Sequence, residues 1–288
     1  MRKFAFVLAC WCLSAAAFAE GNLHALWEVH GKHNTVYIMG SIHVLRPSDY
    51  PLAPVMLKAY GAAQFIYMEV NLQELDTQAV QAELMQSALM SHDKDLPAVL
   101  GKERYAHACE LAREVGAELP RFDQFAPWFA AEAISQLQLM HLGFEAKAGV
   151  EAYFLERART DGKSVGGLET LHDQIALFEN MPLEAQAAYL LSSLEQAQEL
   201  PKEVDEMVRA WQHGDTRWFT HEMQSELGDD PQLYQSVLVA RNRKWLPKIE
   251  ALLNDDKNYL VIVGTGHLVG GGSVIDLLKK DGIGARQL

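Results

Sequence analysis

The sequence predicts an α/β protein with a small central β-sheet and long helical insertions that form a cap. Short apolar runs typical of buried strands are scattered along the chain, and segments with helical periodicity, rich in Ala, Leu, Gln and Glu, separate them. The chain has 288 residues, 49% of them hydrophobic, which suffices for one large domain with a sizeable core. Its net charge of −13 argues against binding to nucleic acid or to an anionic membrane surface.

The order of the predicted elements follows from the apolar pattern and from turn residues such as Gly and Pro. Helical segments are predicted at about 74–160 and 172–255, with a further short helix through residues 55–60 and a closing helix at 274–280. We predict five strands: Leu26–Val29, Val36–Met39, Phe65–Val70, Lys163–Glu169 and Tyr259–Val263.

Residues 1–19 have the features of a cleavable signal peptide. Two basic residues precede an apolar run that is too short to span a membrane comfortably, and Ala17-Phe18-Ala19 forms a small-x-small cleavage pattern. A lipoprotein signal through Cys10 is the weaker alternative. We therefore expect residues 20–288 to form a periplasmic or secreted domain without a stable membrane anchor.

Two of the predicted strands run into the same motif, Gly-x-x-His, in VYIMGSIH and YLVIVGTGH. Chance alone predicts about one such match from 20 glycines and 11 histidines, and the third match, which ends at His24, follows no strand. Ligands of open α/β sheets bind beyond the carboxyl ends of the strands. Four of the predicted strands end near a chemically useful side chain: His43, Glu69, Glu169 and His267.

These four residues are candidate ligands of a divalent metal ion. Neutral imidazoles and carboxylates are the usual ligands of such ions, and two His with one or two Glu leave open positions for water. A metal there would lower the pKa of the water and polarise a carbonyl group. The alternative is that each His is a structural residue, hydrogen-bonded to a carbonyl. The chain lacks His-Glu-x-x-His, Gly-x-Ser-x-Gly and a phosphate-binding loop.

Arg241 falls inside the apolar stripe of a predicted helix rather than opposite it. An inward-facing guanidinium needs a carboxylate or an anionic intermediate as its partner. Two interpretations therefore remain open at this point: a structural pair with Glu, or stabilisation of a developing oxyanion. Pro247 is expected to end or kink this helix.

The ordered set of motifs resembles the TraB/GumN family. The matching pieces are the GSIH and GTGH motifs, IYMEV, GVEAYFLERARTDGKSVGGLET followed by Gln174, and ARNRKW, and they extend over residues 24–284. That family is similar to Tiki-type metal-dependent proteases, in which two Gly-x-x-His motifs and a Glu are implicated in hydrolysis. The resemblance implies these roles for His43, His267 and Glu69, with Mn²⁺ or Co²⁺ as the metal.

The resulting hypothesis is a secreted or periplasmic metal-dependent hydrolase that resembles a peptidase and acts on a peptide or small-molecule substrate. His43, Glu69 and His267 would hold a metal or activate water, with Glu169 as a further ligand or general base and Arg241 near the oxyanion. Two alternatives remain: a non-catalytic protein that binds peptide, haem or metal, and a metal-free ester hydrolase in which one His is the base. Family relatives do not share one activity, so fold transfers more safely than reaction.

Overall fold

A computed structural model describes four parts of the chain: residues 23–71, 73, 77–227 and 231–288. The predicted signal peptide at 1–19 lies outside the described residues. Among the described helices, none is both long and apolar enough to cross a membrane.

The core of the fold is a six-stranded mixed sheet, which confirms the α/β class. Strands are ordered β4-β3-β5-β2-β1-β6; β2 to β5 run parallel, and β1 pairs antiparallel with both β2 and β6. The five predicted strands are all present. β6 was not predicted. The strands are β1 Leu26–His30, β2 Thr35–Ser41, β3 Phe65–Val70, β4 Ser164–Glu169, β5 Tyr259–Gly264 and β6 Ala285–Gln287.

Helices fill the two long segments that were predicted to be helical, and the two shorter predicted helices, near residues 55–60 and 274–280, are also present. The described helices are α1 Pro54–Ala62, α2 Thr77–Ala88, α3 Leu96–Leu100, α4 Lys102–Glu114, α5 Pro127–His141, α6 Val150–Asp161, α7 Leu171–Glu179, α8 Leu183–Glu195, α9 Leu200–Gln212, α10 Thr216–Leu227, α11 Pro231–Tyr234, α12 Ala240–Leu252 and α13 Val274–Lys280. A π-helical turn, Gln235–Val239, leads directly into α12. α12 continues through Pro247, so this residue does not end the helix, which was one of the two outcomes expected of it.

The described residues form three buried clusters: a large one, a second one among the helices, and a small one of Ala88, Ala126 and Trp128. The larger cluster contains both faces of the sheet, including the fully buried Leu260–Val263 segment of β5. Such a continuous apolar run is typical of a parallel strand that helices cover on both sides. The second cluster lies among α3, α4, α5 and α8 and contains Leu96, Ile134 and Leu190. The helical insertion therefore has a small core of its own, to which α8 also contributes.

The parallel strands bring the functional candidates to one edge of the sheet. In the ladder, Ser41 at the end of β2 pairs with Gly264 at the end of β5, and Val70 of β3 pairs with Glu169 of β4. Because parallel strands have their carboxyl ends on the same side, the residues that follow them meet there.

Candidate active site

Three of the predicted residues converge around Gly264. A Cβ atom on this glycine would lie 3.3 Å from Glu69 Oε1, 3.7 Å from His267 Cδ2 and 3.7 Å from His43 Nε2. These side chains come from three different strand ends, and Gly264 has no side chain of its own to separate them. The geometry therefore matches the expectation that strand-end residues far apart in sequence meet in one place.

Glu69 is a buried carboxylate with a partner on each oxygen. Oε1 accepts a hydrogen bond from the Gly264 backbone N–H at 2.7 Å. Oε2 accepts from Gln174 Nε2 at 2.9 Å and from Arg241 Nη2 at 2.7 Å. These bonds come from β5, α7 and α12, so the carboxylate is fixed in orientation by three separate elements.

His267 is a buried imidazole whose tautomer is set by Asn242. The Asn242 amide donates from Nδ2 to the Gly272 carbonyl at 2.9 Å, so its Oδ1 is the acceptor that faces His267 Nδ1 at 2.7 Å. His267 Nδ1 therefore carries the hydrogen, and Nε2 accepts from Arg241 Nη1 at 3.0 Å. Burial lowers the pKa of His267 to about 3, with the nearby Arg241 adding to the effect, so the ring is neutral at pH 7.

His43 has the opposite electrostatic environment. Its Nδ1 lies 2.7 Å from Glu151 Oε1, which also accepts from Ser41 Oγ at 2.5 Å. The Glu151 charge and hydrogen bond raise the pKa of His43 to about 9. Its side chain is 68% exposed, so water weakens this ion pair. Nδ1 is held and Nε2 is left facing the space beside Gly264.

Arg241 lies between the two glutamates, and all five of its N–H groups have acceptors among the described residues. Nη2 donates to Glu69 Oε2 at 2.7 Å and to Glu169 Oε1 at 2.6 Å, and Nε lies 3.2 Å from both Glu169 oxygens. Nη1 donates to the Val237 carbonyl at 3.2 Å and to His267 Nε2. Of the two interpretations left open by the sequence, the arrangement matches a carboxylate-paired arginine.

Glu169 faces the guanidinium rather than the space at Gly264. Its side chain is only 1% exposed, and besides Arg241 it accepts from Trp245 Nε1 at 3.0 Å. The Trp245 ring also packs against the His267 ring, with centroids 4.5 Å apart. Glu169 therefore forms the inner side of the cluster and holds Arg241 in place.

The charge state of Glu69 follows from these neighbours. Burial by itself would raise the pKa of the Glu69 carboxyl, but nearby positive charge and the Gly264 N–H lower it below its ordinary value. Glu69 is therefore ionised at neutral pH.

The donor set suits a divalent metal ion in its chemistry. Two imidazole nitrogens and a carboxylate oxygen are ligands that Mn²⁺ and Co²⁺ accept. Both rings have Nδ1 held by an acceptor, Glu151 or Asn242, as metal-binding histidines usually do. Within the described part of the chain, no three His, Cys, Asp or Glu side chains are already grouped closely enough to hold a metal. A cation at His267 Nε2 would have to replace its hydrogen bond from Arg241.

Sequence reasoning assigned no role to several residues that support the site. Glu151 and Asn242 hold the two histidines, and Gln174 holds Glu69. A signal for Glu151 was available, since it lies in the first turn of a helix that follows Gly149. A Cβ on Gly149 would come within 2.1 Å of the His43 carbonyl oxygen, so glycine there lets this helix start approach the motif.

His24, which ends the third Gly-x-x-His match, lies elsewhere. Its Nδ1 is 2.9 Å from the Gln212 carbonyl oxygen. This is the contact expected of a structural histidine.

Comparison with known proteins gives distant relatives of similar length. The uncharacterized protein YbaP of Escherichia coli (strain K12) is 23% identical over 256 residues, which cover 84% of this chain and 87% of YbaP. An uncharacterized protein of Treponema pallidum (strain Nichols) is 20% identical over 293 residues, which cover 96% of this chain and 87% of that protein.

A third relative has a named activity. The metalloprotease TIKI2 of Xenopus tropicalis is 20% identical over 309 residues, which cover 89% of this chain but 58% of TIKI2. No solved structure matches the chain. The model of the TraB/PrgY/gumN family matches residues 25–287, which include the six described strands and the whole cluster around Gly264. The chain therefore belongs to the TraB/PrgY/gumN family.

Proposed function

We propose that this protein is a metal-dependent hydrolase with peptidase-like activity. The observation that carries the proposal is the convergence of His43 Nε2, His267 and Glu69 Oε1 around Gly264. The family membership and the distant metalloprotease relative favour the same class of reaction. We also propose that the protein acts in the periplasm or outside the cell, after loss of residues 1–19.

In this proposal, His43, His267 and Glu69 hold a divalent cation, Mn²⁺ or Co²⁺. When bound, such a cation supplies Lewis acidity that lowers the pKa of a water molecule and polarises a substrate carbonyl. Glu151 and Asn242 keep the two imidazole rings oriented through their Nδ1 atoms. Binding at His43 Nε2 also requires loss of the proton that the Glu151 carboxylate stabilises.

Arg241 and Glu169 act mainly by positioning the other groups. Because the five N–H groups of Arg241 already have acceptors, an oxyanion would have to compete with Glu69, Glu169 and His267 for them. We therefore assign Arg241 to holding Glu69 in place, and Glu169 to holding Arg241. Glu69 and Glu169 pair with Arg241, and Glu151 pairs with His43. Three carboxylates thus face two cations, Arg241 and the protonated His43, so the cluster keeps one net negative charge, which favours a cation.

A second candidate function, a metal-free ester hydrolase, is favoured by one contact. The Glu151–His43 pair resembles the carboxylate–imidazole unit of a general base, with Nδ1 held at 2.7 Å and Nε2 turned toward the open space. In that case the unprotonated form of His43, which predominates only above its pKa of about 9, would take the proton of an attacking water, and His267 would keep its bond from Arg241.

Hydrolysis assays with and without EDTA distinguish these functions. We expect the wild type to cleave members of a peptide library, to lose this activity after EDTA treatment and to regain it with Mn²⁺ or Co²⁺. His43→Ala and His267→Ala should each abolish turnover, and His24→Ala, which removes the unrelated third motif, should not. EDTA-resistant cleavage of esters would establish the metal-free function instead. Tight binding of peptide, haem or metal without turnover would establish a binding protein.

A further inference from the structure

A separate cavity of about 190 Å³ lies in the helical insertion, between the end of α2 and the starts of α5 and α8. Its apolar lining includes Leu89, Met90 and Leu183. Exposed Lys94 and Glu179 also line it, one cation and one anion, so the lining carries no net formal charge. A neutral ligand with a small apolar part suits this composition.

Three residues that line this cavity carry polar atoms without a partner. Ser87 Oγ, Trp128 Nε1 and Gln186 Oε1 are shielded from solvent and have no hydrogen-bond partner in the described part of the chain. Trp128 is 4% exposed and Gln186 is 3% exposed. Buried polar groups are nearly always hydrogen-bonded in native proteins. Three unpaired polar atoms on residues that line one cavity therefore indicate that a hydrogen-bonding partner is missing there.

Two carbonyl groups fix the orientation of the Gln186 amide. Gln186 Nε2 lies 2.9 Å from the Met181 carbonyl and 3.3 Å from the Phe178 carbonyl. Turning the amide over would place its oxygen against these two carbonyl oxygens. Oε1 is therefore the atom that needs a donor.

The chemistry of the three orphan atoms defines the missing ligand. An indole N–H can only donate, an amide oxygen can only accept, and a hydroxyl can do either. The ligand must therefore offer an acceptor for Trp128 and a donor for Gln186. A secondary amide has this pair of groups, C=O and N–H, and is neutral.

We propose that this cavity binds a secondary amide, from either a peptide main chain or a small molecule. Because the three polar atoms are shielded from solvent, the ligand reaches them after side-chain rotations, which the flexible Met90 in the lining can accommodate. The proposal does not depend on the hydrolase function. The cavity is nevertheless connected to the candidate active site through α7, where Gln174 contacts Glu69 and Phe178 stacks on Trp128 with ring centroids 5.4 Å apart.

The test uses a matched pair of small ligands, N-methylisobutyramide and its ester isostere, methyl isobutyrate. Binding is followed by NMR through the indole N–H resonance of Trp128, assigned with the Trp128→Phe variant. We expect the amide to bind the wild-type protein with a Kd of about 1–10 mM, as is usual for a fragment of this size. The ester, which lacks the N–H that Gln186 needs, should bind more weakly. A blocked alanine pentapeptide distinguishes the sources: tighter binding than the small amide indicates a peptide chain, and equal or weaker binding indicates a small molecule.

Two serine variants provide the control. Ser87→Ala removes an orphan hydroxyl and should weaken amide binding roughly three- to tenfold without lowering the melting temperature. Ser193→Ala removes a hydroxyl that already donates to the Tyr189 carbonyl at 2.9 Å, and should leave amide binding unchanged. No shift of the Trp128 signal with the amide, or equal binding of amide and ester, would overturn the proposal and leave a cavity that holds only water.

Discussion

Removing Arg241 should be among the most destabilising single changes in this protein. Arg241→Met keeps much of the apolar stem but leaves Glu169, 1% exposed, with the Trp245 N–H as its only hydrogen-bond donor among the described side chains. Glu69 keeps its bonds from Gly264 and Gln174, so most of the cost arises at Glu169. Breaking a buried ion pair on one side costs about 3–5 kcal/mol. We expect a loss of that size in the free energy of unfolding, measured by urea denaturation at pH 7.

A surface pair gives the matched control. Arg159 donates from Nε and Nη2 to Glu156 with the same two-point geometry, but both side chains are more than half exposed. Arg159→Met should therefore cost less than about 1 kcal/mol. Adding Glu169→Gln to Arg241→Met removes the stranded charge and should recover about 1–3 kcal/mol. A loss below 1 kcal/mol for Arg241→Met, or no recovery in the double variant, would refute the view that Glu169 depends on this guanidinium.

Three further predictions concern the groups around Gly264. Gly264→Ala should fold, because the backbone of Gly264 has φ and ψ angles that alanine adopts, but it should lose metal binding because the added Cβ lies between the three side chains. Gly271→Ala, which has nothing near its added Cβ, is the control. Equal Mn²⁺ affinity of the two variants would contradict this prediction. In metal-free protein, Glu151→Ala should return the raised pKa of His43 toward its ordinary value near 6.5, as measured by NMR titration. The Glu151–His43 ion pair stabilises the fold below pH 6.5, and this effect is lost as the pH rises through about 9. The loss in free energy of unfolding caused by Glu151→Ala should therefore be larger at pH 6 than at pH 10. His267 should remain unprotonated at pH 5 in the metal-free wild type, since burial lowers its pKa to about 3, and a protonated ring there would be inconsistent with its bond from Arg241.

The sheet could be predicted well because its strands carry a strong local signal. β5 is a continuous apolar run between turn residues, and its carboxyl end is marked by Gly and His. β6, in contrast, is the three-residue segment Ala285–Gln287, whose residues have no alternation and pair only because β1 lies beside them. Pro247 also departed from the local rule: the tertiary packing of Trp245 and Ile249, both fully buried, keeps α12 helical around it.

The candidate site was predictable to the level of which side chains meet, but not of which contacts they make. His43, Glu69 and His267 could be grouped because parallel strands end together. The choice of Glu151 as the partner of His43 depends on how α6 docks against β2, 110 residues away in sequence from Ser41. Likewise, the inward position of Arg241 predicted a carboxylate partner, but only the structure shows that Arg241 pairs with two carboxylates, Glu69 and Glu169.

Equilibrium Mn²⁺ binding to metal-stripped protein tests the central claim most directly. The account predicts that the wild type binds a single ion per chain, that His43→Ala and His267→Ala lose this site while remaining folded by circular dichroism, and that His24→Ala binds like the wild type. Mn²⁺ binding that is absent in the wild type, or that is unchanged in both His43→Ala and His267→Ala, would contradict the claim that the side chains around Gly264 form a metal centre.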